Sequence, residues 1–259
     1  MSQVLQCADG DKQWAELETC HWSFFRLCAR PPGSELSFWR QSPSNPSAAP
    51  PWMNPMADLG GKFRVVAMDQ RNAGRSTGSV AAEHGWDTYA RDHLALMDHL
   101  GIDRAHVMGG CIGASFCLKL CEMAPERIAT SVLQNPIGHD NNREVFTNLV
   151  KVWADGMNAK GRALDPKTVE SFGRNMFAND FVFSVSREFV RGCRIPMLLM
   201  PGDDAPHPAA VADEIGRLAP NLEVMPKWKG PEHLKAAITR VRDFLERHTP
   251  VPRTKASAA

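Results

Sequence analysis

The chain has 259 residues, of which 43% are hydrophobic and 23% charged, with a formal net charge of +1. This length and balance are typical of one globular domain and give no electrostatic reason to expect nucleic acid or a membrane surface as partner. It contains no apolar run of about 18 residues, and its N-terminus lacks the basic flank and apolar core of a signal peptide. We therefore predict a cytoplasmic protein acting on a small molecule, with no nucleic-acid or membrane partner; its oligomeric state stays open.

Cysteine usage points to a reducing compartment. The number of cysteines is odd and no pair has CxxC spacing; they are Cys7, Cys20, Cys28, Cys111, Cys117, Cys121 and Cys193. Cys117 and Cys121 lie one helical turn apart, which is too few ligands for a zinc site. We predict no disulfide framework, no metal and no cofactor.

Short strands are predicted first, at 3–8, 12–18 and 22–29, the first two joined by a hairpin-type turn. Farther along, apolar runs of strand length alternate with helical patterns. The predicted strands are 63–68, 105–108, 131–134, 196–200 and 222–225, and the predicted helices are 87–100, 114–123, 209–218 and 231–246. This alternation indicates an α/β fold with a mostly parallel sheet covered by helices on both faces.

Residues 138–187 have a helical pattern without a strand, with apolar helical runs at 145–157, 166–177 and 181–190. We predict that this segment is a small helical cap inserted into a core formed by 1–137 and 188–248. The polar tail 249–259 is predicted to be disordered.

Two histidines fall within the predicted helix 87–100. His93 and His99 are six residues apart, so they do not share one helix face, and we expect both at the surface. Arg71 and Arg75 fall in the preceding Asn-Ala-Gly turn, which we expect them to stabilise.

The most informative stretch surrounds Cys111. A predicted strand ends, a reactive residue follows and a helix begins, with Gly109 and Gly113 giving the pattern G-x-C-x-G. A nucleophile on so sharp a turn needs small flanking residues, because Cβ atoms there would strike the neighbouring strand and helix. The Ile112 amide at the helix N-terminus is predicted to bind an oxyanion, and the helix dipole is expected to favour the Cys111 thiolate.

These features resemble the α/β-hydrolase superfamily over nearly the whole chain. FRVVAMDQRNAGRS resembles its strand and D-x-R-G-x-G-x-S turn, and GGCIGAS its G-x-S-x-G elbow with cysteine in place of serine. IPMLLMPGDDAPHP resembles the strand and turn that carry the catalytic acid, and VRDFLERH the closing helix. A cysteine at the elbow is similar to that of dienelactone hydrolases and to the G-x-C-x-G box of the longer polyhydroxyalkanoate synthases.

The resemblance implies a nucleophile, an acid and a histidine in that chain order. Asp203 and Asp204 follow the strand 196–200, and Asp204 is closer to the usual position of the acid. The family normally carries its histidine in a Gly-His loop after the last strand, which this chain lacks. His233, in the first turn of the predicted closing helix, is our first choice for the base. His207 is the second candidate, and the absence of a catalytic histidine remains the third possibility.

A second oxyanion donor is expected from the loop 30–34, after the third strand. Two of its five residues are prolines without an N–H, so Gly33 or Ser34 would have to supply the amide, with Arg30 as a source of charge.

The predicted function is hydrolysis of a small ester, thioester or lactone through an acyl-cysteine on Cys111, with His233 as base and Asp204 orienting it. Two alternatives remain open at this point: acyl transfer by the same cysteine, and a non-catalytic ligand-binding protein on a hydrolase scaffold.

Overall fold

A computed structural model describes residues 53–73 and 76–249 in full. Before them it describes the backbone of three strands, β1 (Leu5–Gln6), β2 (Gln13–Trp14) and β3 (Phe24–Ala29). β1 and β2 pair antiparallel, as the predicted hairpin requires, but are shorter than the segments 3–8 and 12–18. The tail beyond residue 249 lies outside the described residues.

The later elements alternate much as the sequence predicts. In order they are α1 (Pro55–Leu59), β4 (Arg64–Ala67), α2 (Trp86–His99), β5 (Ala105–Gly110), α3 (Ile112–Met123), a 3-10 turn (Pro125–Arg127), β6 (Ile128–Gln134), α4 (Arg143–Ala159), α5 (Pro166–Phe177), α6 (Arg187–Gly192), β7 (Met197–Met200), α7 (Ala209–Leu218), β8 (Leu222–Val224) and α8 (Pro231–Arg247). Among the described helices, none combines the length and apolar character needed to cross a bilayer.

Six of the described strands form one sheet in the order β4-β3-β5-β6-β7-β8. β5 to β8 are parallel, which confirms the predicted mostly parallel α/β sheet. β3 is antiparallel to both of its neighbours, with Phe24 opposite Gly110 and Cys28 opposite His106. Because of this direction, the chain leaves β3 at the end of the sheet opposite to Cys111.

Helices cover both faces of the sheet. Along a strand, successive side chains point to opposite faces, so Val107 packs into one buried cluster and Met108 into another. The first cluster is covered by α2, α3 and α7, and the second by α1 and α8. The carboxyl ends of β5, β6 and β7 are left to turns and loops.

The segment between β6 and β7 contains α4, α5 and α6 and no strand. The helix predicted at 181–190 was wrong in its first half, since α6 begins only at Arg187. Phe181 and Phe183 have φ of 63° and 65°, in the left-handed region that a helix cannot include, and both rings are buried. The boundaries of the predicted cap, 138–187, stay a prediction.

A buried polar network joins α2 to the turn after β4. Arg71 donates to both oxygens of Asp92, at 2.9 and 2.6 Å, so each charge is paired. His93 was expected at the surface but is fully buried; its ring contacts Gln70 at 2.9 Å and the carbonyl group four residues earlier at 2.7 Å. Burial lowers its pKa to about 3, so the ring is neutral. His99 is exposed, as expected.

The strand β5 and the helix α3 approach each other at Gly109. A Cβ atom on Gly109 would lie 2.1 Å from the carbonyl oxygen of Gly113 and 2.9 Å from the nitrogen of Ala114. These are backbone atoms that a side-chain rotation cannot move. The sequence pattern therefore has a steric cause in the structure, since no larger residue fits at position 109.

We expect Gly109→Ala to lower the free energy of unfolding by about 2–3 kcal/mol or more, as overpacking does in close-packed interiors. Gly110→Ala is the matched control, because its nearest neighbours, on Gln134, would lie 3.9 Å from the new Cβ. Its effect should stay below about 1 kcal/mol. Urea denaturation followed by circular dichroism measures both, and equal losses would contradict the steric explanation.

Candidate active site

Cys111 is the single residue between β5 and α3. Its φ of 57° and ψ of −126° lie in a region that residues with a Cβ atom rarely adopt, and such strain concentrates at functional sites. Its N–H donates to the carbonyl oxygen of Gln134 at 3.0 Å, which ties the turn to β6. Strand, strained residue and helix thus follow as G-x-C-x-G predicts, and the helix begins at Ile112, earlier than the expected Ala114.

The Cys111 thiol is protonated at neutral pH. Burial raises its pKa to about 11, the N–H of Ile112 opposes this by hydrogen bonding to the sulfur, and the charge of Asp204 raises it further. The amide at the helix N-terminus does favour the thiolate, as expected, but desolvation outweighs it and the net pKa is raised. A role as nucleophile would therefore require a base to remove the proton.

An imidazole and a carboxylate form a pair in the loop after β7. Nδ1 of His207 lies 2.5 Å from Oδ1 of Asp204, and the backbone N–H of His207 donates to the same oxygen at 3.1 Å. Burial holds the pKa of His207 below its ordinary value, against the opposing charge of Asp204. The neutral ring donates through Nδ1 and leaves a lone pair on Nε2. Nε2 is buried and has no hydrogen-bond partner among the described residues, which suits a general base.

The two acidic candidates have different surroundings. Asp203 is exposed and forms an ion pair with Lys229, which lowers the pKa of its carboxyl group. Asp204 holds the imidazole. Asp204 as the orienting acid stays a prediction, and its contact with His207 supports it over Asp203.

His233 lies in the first turn of α8, where its side chain is 36% exposed and its Nε2 is 3.7 Å from Oε1 of Glu232. The side-chain hydrogen bonds of Asp204 go to His207, so no contact in the described structure joins His233 to the acid. His233 as base stays a prediction.

Of the three predicted oxyanion donors, the structure describes only Ile112. The N–H of Ile112 hydrogen-bonds to the Cys111 sulfur, so it lies beside the atom that would attack a carbonyl group, and its role as an oxyanion donor stays a prediction. Gly33 and Ser34 lie outside the described residues, and β3 ends at the far end of the sheet from Cys111. Their role as donors stays a prediction.

Sequence reasoning missed two polar residues at the carboxyl end of β6. Gln134 and Asn135 are 9% and 2% exposed, and neither Nε2 of Gln134 nor Oδ1 of Asn135 has a hydrogen-bond partner among the described residues. A signal was available: amide side chains end a fully buried strand that runs beside the strand of the nucleophile.

Two cavities of about 530 and 500 Å³ open elsewhere, around Lys119 and Ser184, and Cys111 lines neither. Within the part of the chain that the structure describes, no group of three or more His, Cys, Asp or Glu side chains is placed to hold a metal ion. We therefore place the candidate site at the carboxyl ends of β5, β6 and β7, around Cys111.

The pKa of Cys111 is testable without a substrate. We expect half-maximal alkylation by iodoacetamide near pH 11, well above the ~8.5 of a free thiol. Asp204→Asn should move this midpoint down, because it removes a nearby negative charge, and Asp203→Asn, the matched control, should not. Peptide mass mapping at each pH follows Cys111 alone; a midpoint below that of a free thiol would contradict the protonated resting state.

The sequence resembles known hydrolases in part of its length. RutD of Caulobacter sp. strain K31, whose name assigns it provisionally to carbamate hydrolysis, is 37% identical over 84 residues, covering 32% of this chain and 31% of that protein. RutD of Variovorax paradoxus strain S110 is 30% identical over 103 residues, covering 40% and 34%. The chain thus spans about a third of the length of the curated relatives it matches.

Solved structures share the fold. MGS-M2, an alpha/beta hydrolase enzyme from a Medee basin deep-sea metagenome library, aligns with a TM-score of 0.60 at 13% identity, covering 97% of this chain and all of that one. The enol-lactonase of Burkholderia xenovorans LB400 aligns with a TM-score of 0.52 at 20% identity, covering 74% and 84%. At such low sequence identity, these similarities show a shared fold and do not extend to activity.

The family itself is identified by sequence. Residues 32–172, more than half of the chain, match the family described as alpha/beta hydrolase fold. The sheet order and the strained Cys111 between β5 and α3 agree with that match. The chain belongs to the α/β-hydrolase fold family.

Proposed function

We propose that the chain hydrolyses a small carboxylic ester, thioester or lactone through a covalent intermediate on Cys111. The observation that carries this proposal is a protonated, strained thiol at the start of α3 that feels the charge of Asp204, the carboxylate that orients the neutral imidazole of His207. A nucleophile, a base and an orienting acid are the three groups that acyl transfer to a side chain requires.

Acylation begins when Nε2 of His207 takes the proton of the Cys111 thiol as the sulfur attacks the substrate carbonyl carbon. The carbonyl π electrons move to oxygen, and the N–H of Ile112 donates a hydrogen bond to this oxyanion. Collapse re-forms the carbonyl and breaks the bond to the leaving group, which takes the proton from His207. Asp204 stabilises the imidazolium between these two transfers.

Deacylation repeats the sequence with water. His207 takes one proton from water as its oxygen attacks the acyl carbon, and the tetrahedral intermediate collapses to a carboxylic acid. The departing sulfur receives that proton and restores the thiol of Cys111. Protons and electrons balance over the cycle, and no cofactor is required.

The base is proposed as His207 rather than the first choice from sequence, His233. His207 has the Asp204 contact and a buried Nε2 without a partner, whereas His233 is partly exposed beside Glu232. Separate substitutions decide between the two histidines.

Attack of the Cys111 sulfur on a carbonyl carbon also limits which substrates can react. Esters, thioesters and lactones carry a carbonyl carbon bonded to an oxygen or sulfur that can depart, and a carbamate, the substrate class in the RutD name, carries one as well. The enol-lactonase among the solved structures is consistent with this range but adds only the fold.

We expect wild-type protein mixed with an activated p-nitrophenyl ester to gain the mass of one acyl group on Cys111 in intact-mass and peptide spectra. Cys111→Ala should abolish both the adduct and turnover, since the nucleophile is lost. Full turnover in that variant would exclude the mechanism. Added alcohol or amine acceptors distinguish acyl transfer from hydrolysis, and absence of any adduct would favour the ligand-binding alternative.

His207→Ala should lower kcat/KM by about 10²–10⁴-fold, the usual contribution of a general base. His233→Ala, the matched control, should lower it less than about threefold. Since His207 must be neutral to act and burial holds its pKa below the ~6.5 of a free imidazole, kcat/KM should stay level through neutral pH and fall only below about pH 6.5. The reverse pattern of losses would return the role to His233.

A further inference from the structure

The carboxyl end of β6 lies between the nucleophile and the proposed base. β6 is hydrogen-bonded to β5, which leads into Cys111, and to β7, which leads into the loop of His207. Neighbouring strands are about 4.8 Å apart, so the ends of β5 and β7 are separated by about 10 Å. At this end of the sheet β6 ends at Gln134, and Asn135 follows it.

Gln134 is held against the nucleophile turn. Its carbonyl oxygen accepts the N–H of Cys111, and its Cβ and Oε1 each lie 3.9 Å from the position a Cβ on Gly110 would take. The side chain therefore lies over the residue that precedes Cys111. Its Nε2 is buried and has no acceptor among the described residues.

Asn135 is held on the other side, near the base. Its backbone has a φ of 50°, and its N–H donates to the carbonyl oxygen of Met200 at 2.7 Å. Its Oδ1 lies 2.8 Å from the position a Cβ on Gly202 would take, and the Cβ of His207 lies 2.4 Å from that same position. Oδ1 is buried and has no donor among the described residues.

Leaving a donor or acceptor buried and unpaired costs about 1–3 kcal/mol each, so such atoms need an explanation. Unpaired polar atoms occur elsewhere in the described residues, but these two amides lie at the end of β6, and His207, whose Nε2 is also unpaired, lies in the loop that follows the neighbouring strand β7. The proposed proton transfer accounts for the unpaired Nε2 of His207. It does not account for the unpaired amide atoms of Gln134 and Asn135.

We propose that Gln134 and Asn135 bind an amide-like group of the substrate, such as a carboxamide, carbamate or urea. Gln134 donates to its carbonyl oxygen and Asn135 accepts its N–H. If both side-chain amide groups are rotated by 180°, the pair still offers one donor and one acceptor, because each amide has one donor end and one acceptor end. This inference rests on the proposed function and narrows its substrate class.

Binding to Cys111→Ala tests this without turnover. The probes are methyl N-carbamoylglycinate and methyl 4-methylpentanoate, which have the same size and ester but differ in that a urea replaces a branched alkyl end. Titration calorimetry should give at least tenfold tighter binding of the urea probe. Equal affinities would overturn the proposal, and this is also the result if the two amides hold only buried water.

Substitutions in the same background assign the preference to residues. Gln134→Met keeps the side-chain length, and Asn135→Gly keeps the left-handed backbone; each should bring the affinity ratio towards one. Asn221→Ala is the control, because that amide precedes β8 at the opposite end of the sheet and contacts Arg194. The ratio compares two probes on one protein, so partial unfolding cancels.

A ratio unchanged in both variants would also overturn the proposal. Failure of the proposed function is recognised separately, by the lack of an acyl adduct on Cys111 in the wild-type protein. A protein that forms the adduct but shows no probe preference would keep the hydrolase proposal and lose this one. A protein that prefers the urea probe but forms no adduct would lose the hydrolase proposal and keep the amide-binding one.

Discussion

The contact between Gly109 and the carbonyl group of Gly113 is the constraint from which the site follows. Because β5 and α3 touch backbone to backbone there, the helix must begin immediately after the strand. The one residue left between them, Cys111, must adopt a strained conformation that places its sulfur at the start of α3, next to the N–H of Ile112. Parallel pairing then brings the ends of β6 and β7 alongside, and with them Gln134, Asn135 and the Asp204–His207 pair.

Burial acts on both reactive side chains and keeps both uncharged. It raises the pKa of the Cys111 thiol and lowers that of His207, since removing water disfavours the thiolate and the imidazolium alike. Asp204 opposes the effect at His207 but reinforces it at Cys111. Both side chains are thus neutral at rest, as thiol and imidazole.

Features that depend on local sterics were predictable from the sequence. The spacing of Gly109, Cys111 and Gly113 predicts the elbow because the steric demand lies within five residues, and strand alternation predicts the sheet. The pairing of Asp204 with His207 was less accessible, since it depends on a tight turn that folds the ring back onto a carboxylate three residues earlier. Chain order within the family favoured His233 instead.

The helical spacing of apolar residues predicts which side chains are buried, but it does not by itself predict the backbone conformation. His93 lies three and four residues from apolar positions of α2 that are buried, so its burial was predictable from the helix stripe. By contrast, the apolar run at Phe181 and Phe183 was read as helical, although both residues have positive φ. Apolar composition shows that a segment is buried, and only backbone contacts decide its conformation.

The protonated state of Cys111 has a consequence for survival of the protein under oxidative stress. Peroxides and electrophiles react with thiolates, and thiols of high pKa are correspondingly inert. We therefore expect a cysteine at this position to resist sulfenic and sulfinic acid formation for as long as its thiol stays protonated. Burial thus gives sulfur much of the chemical durability that a serine hydroxyl has by nature.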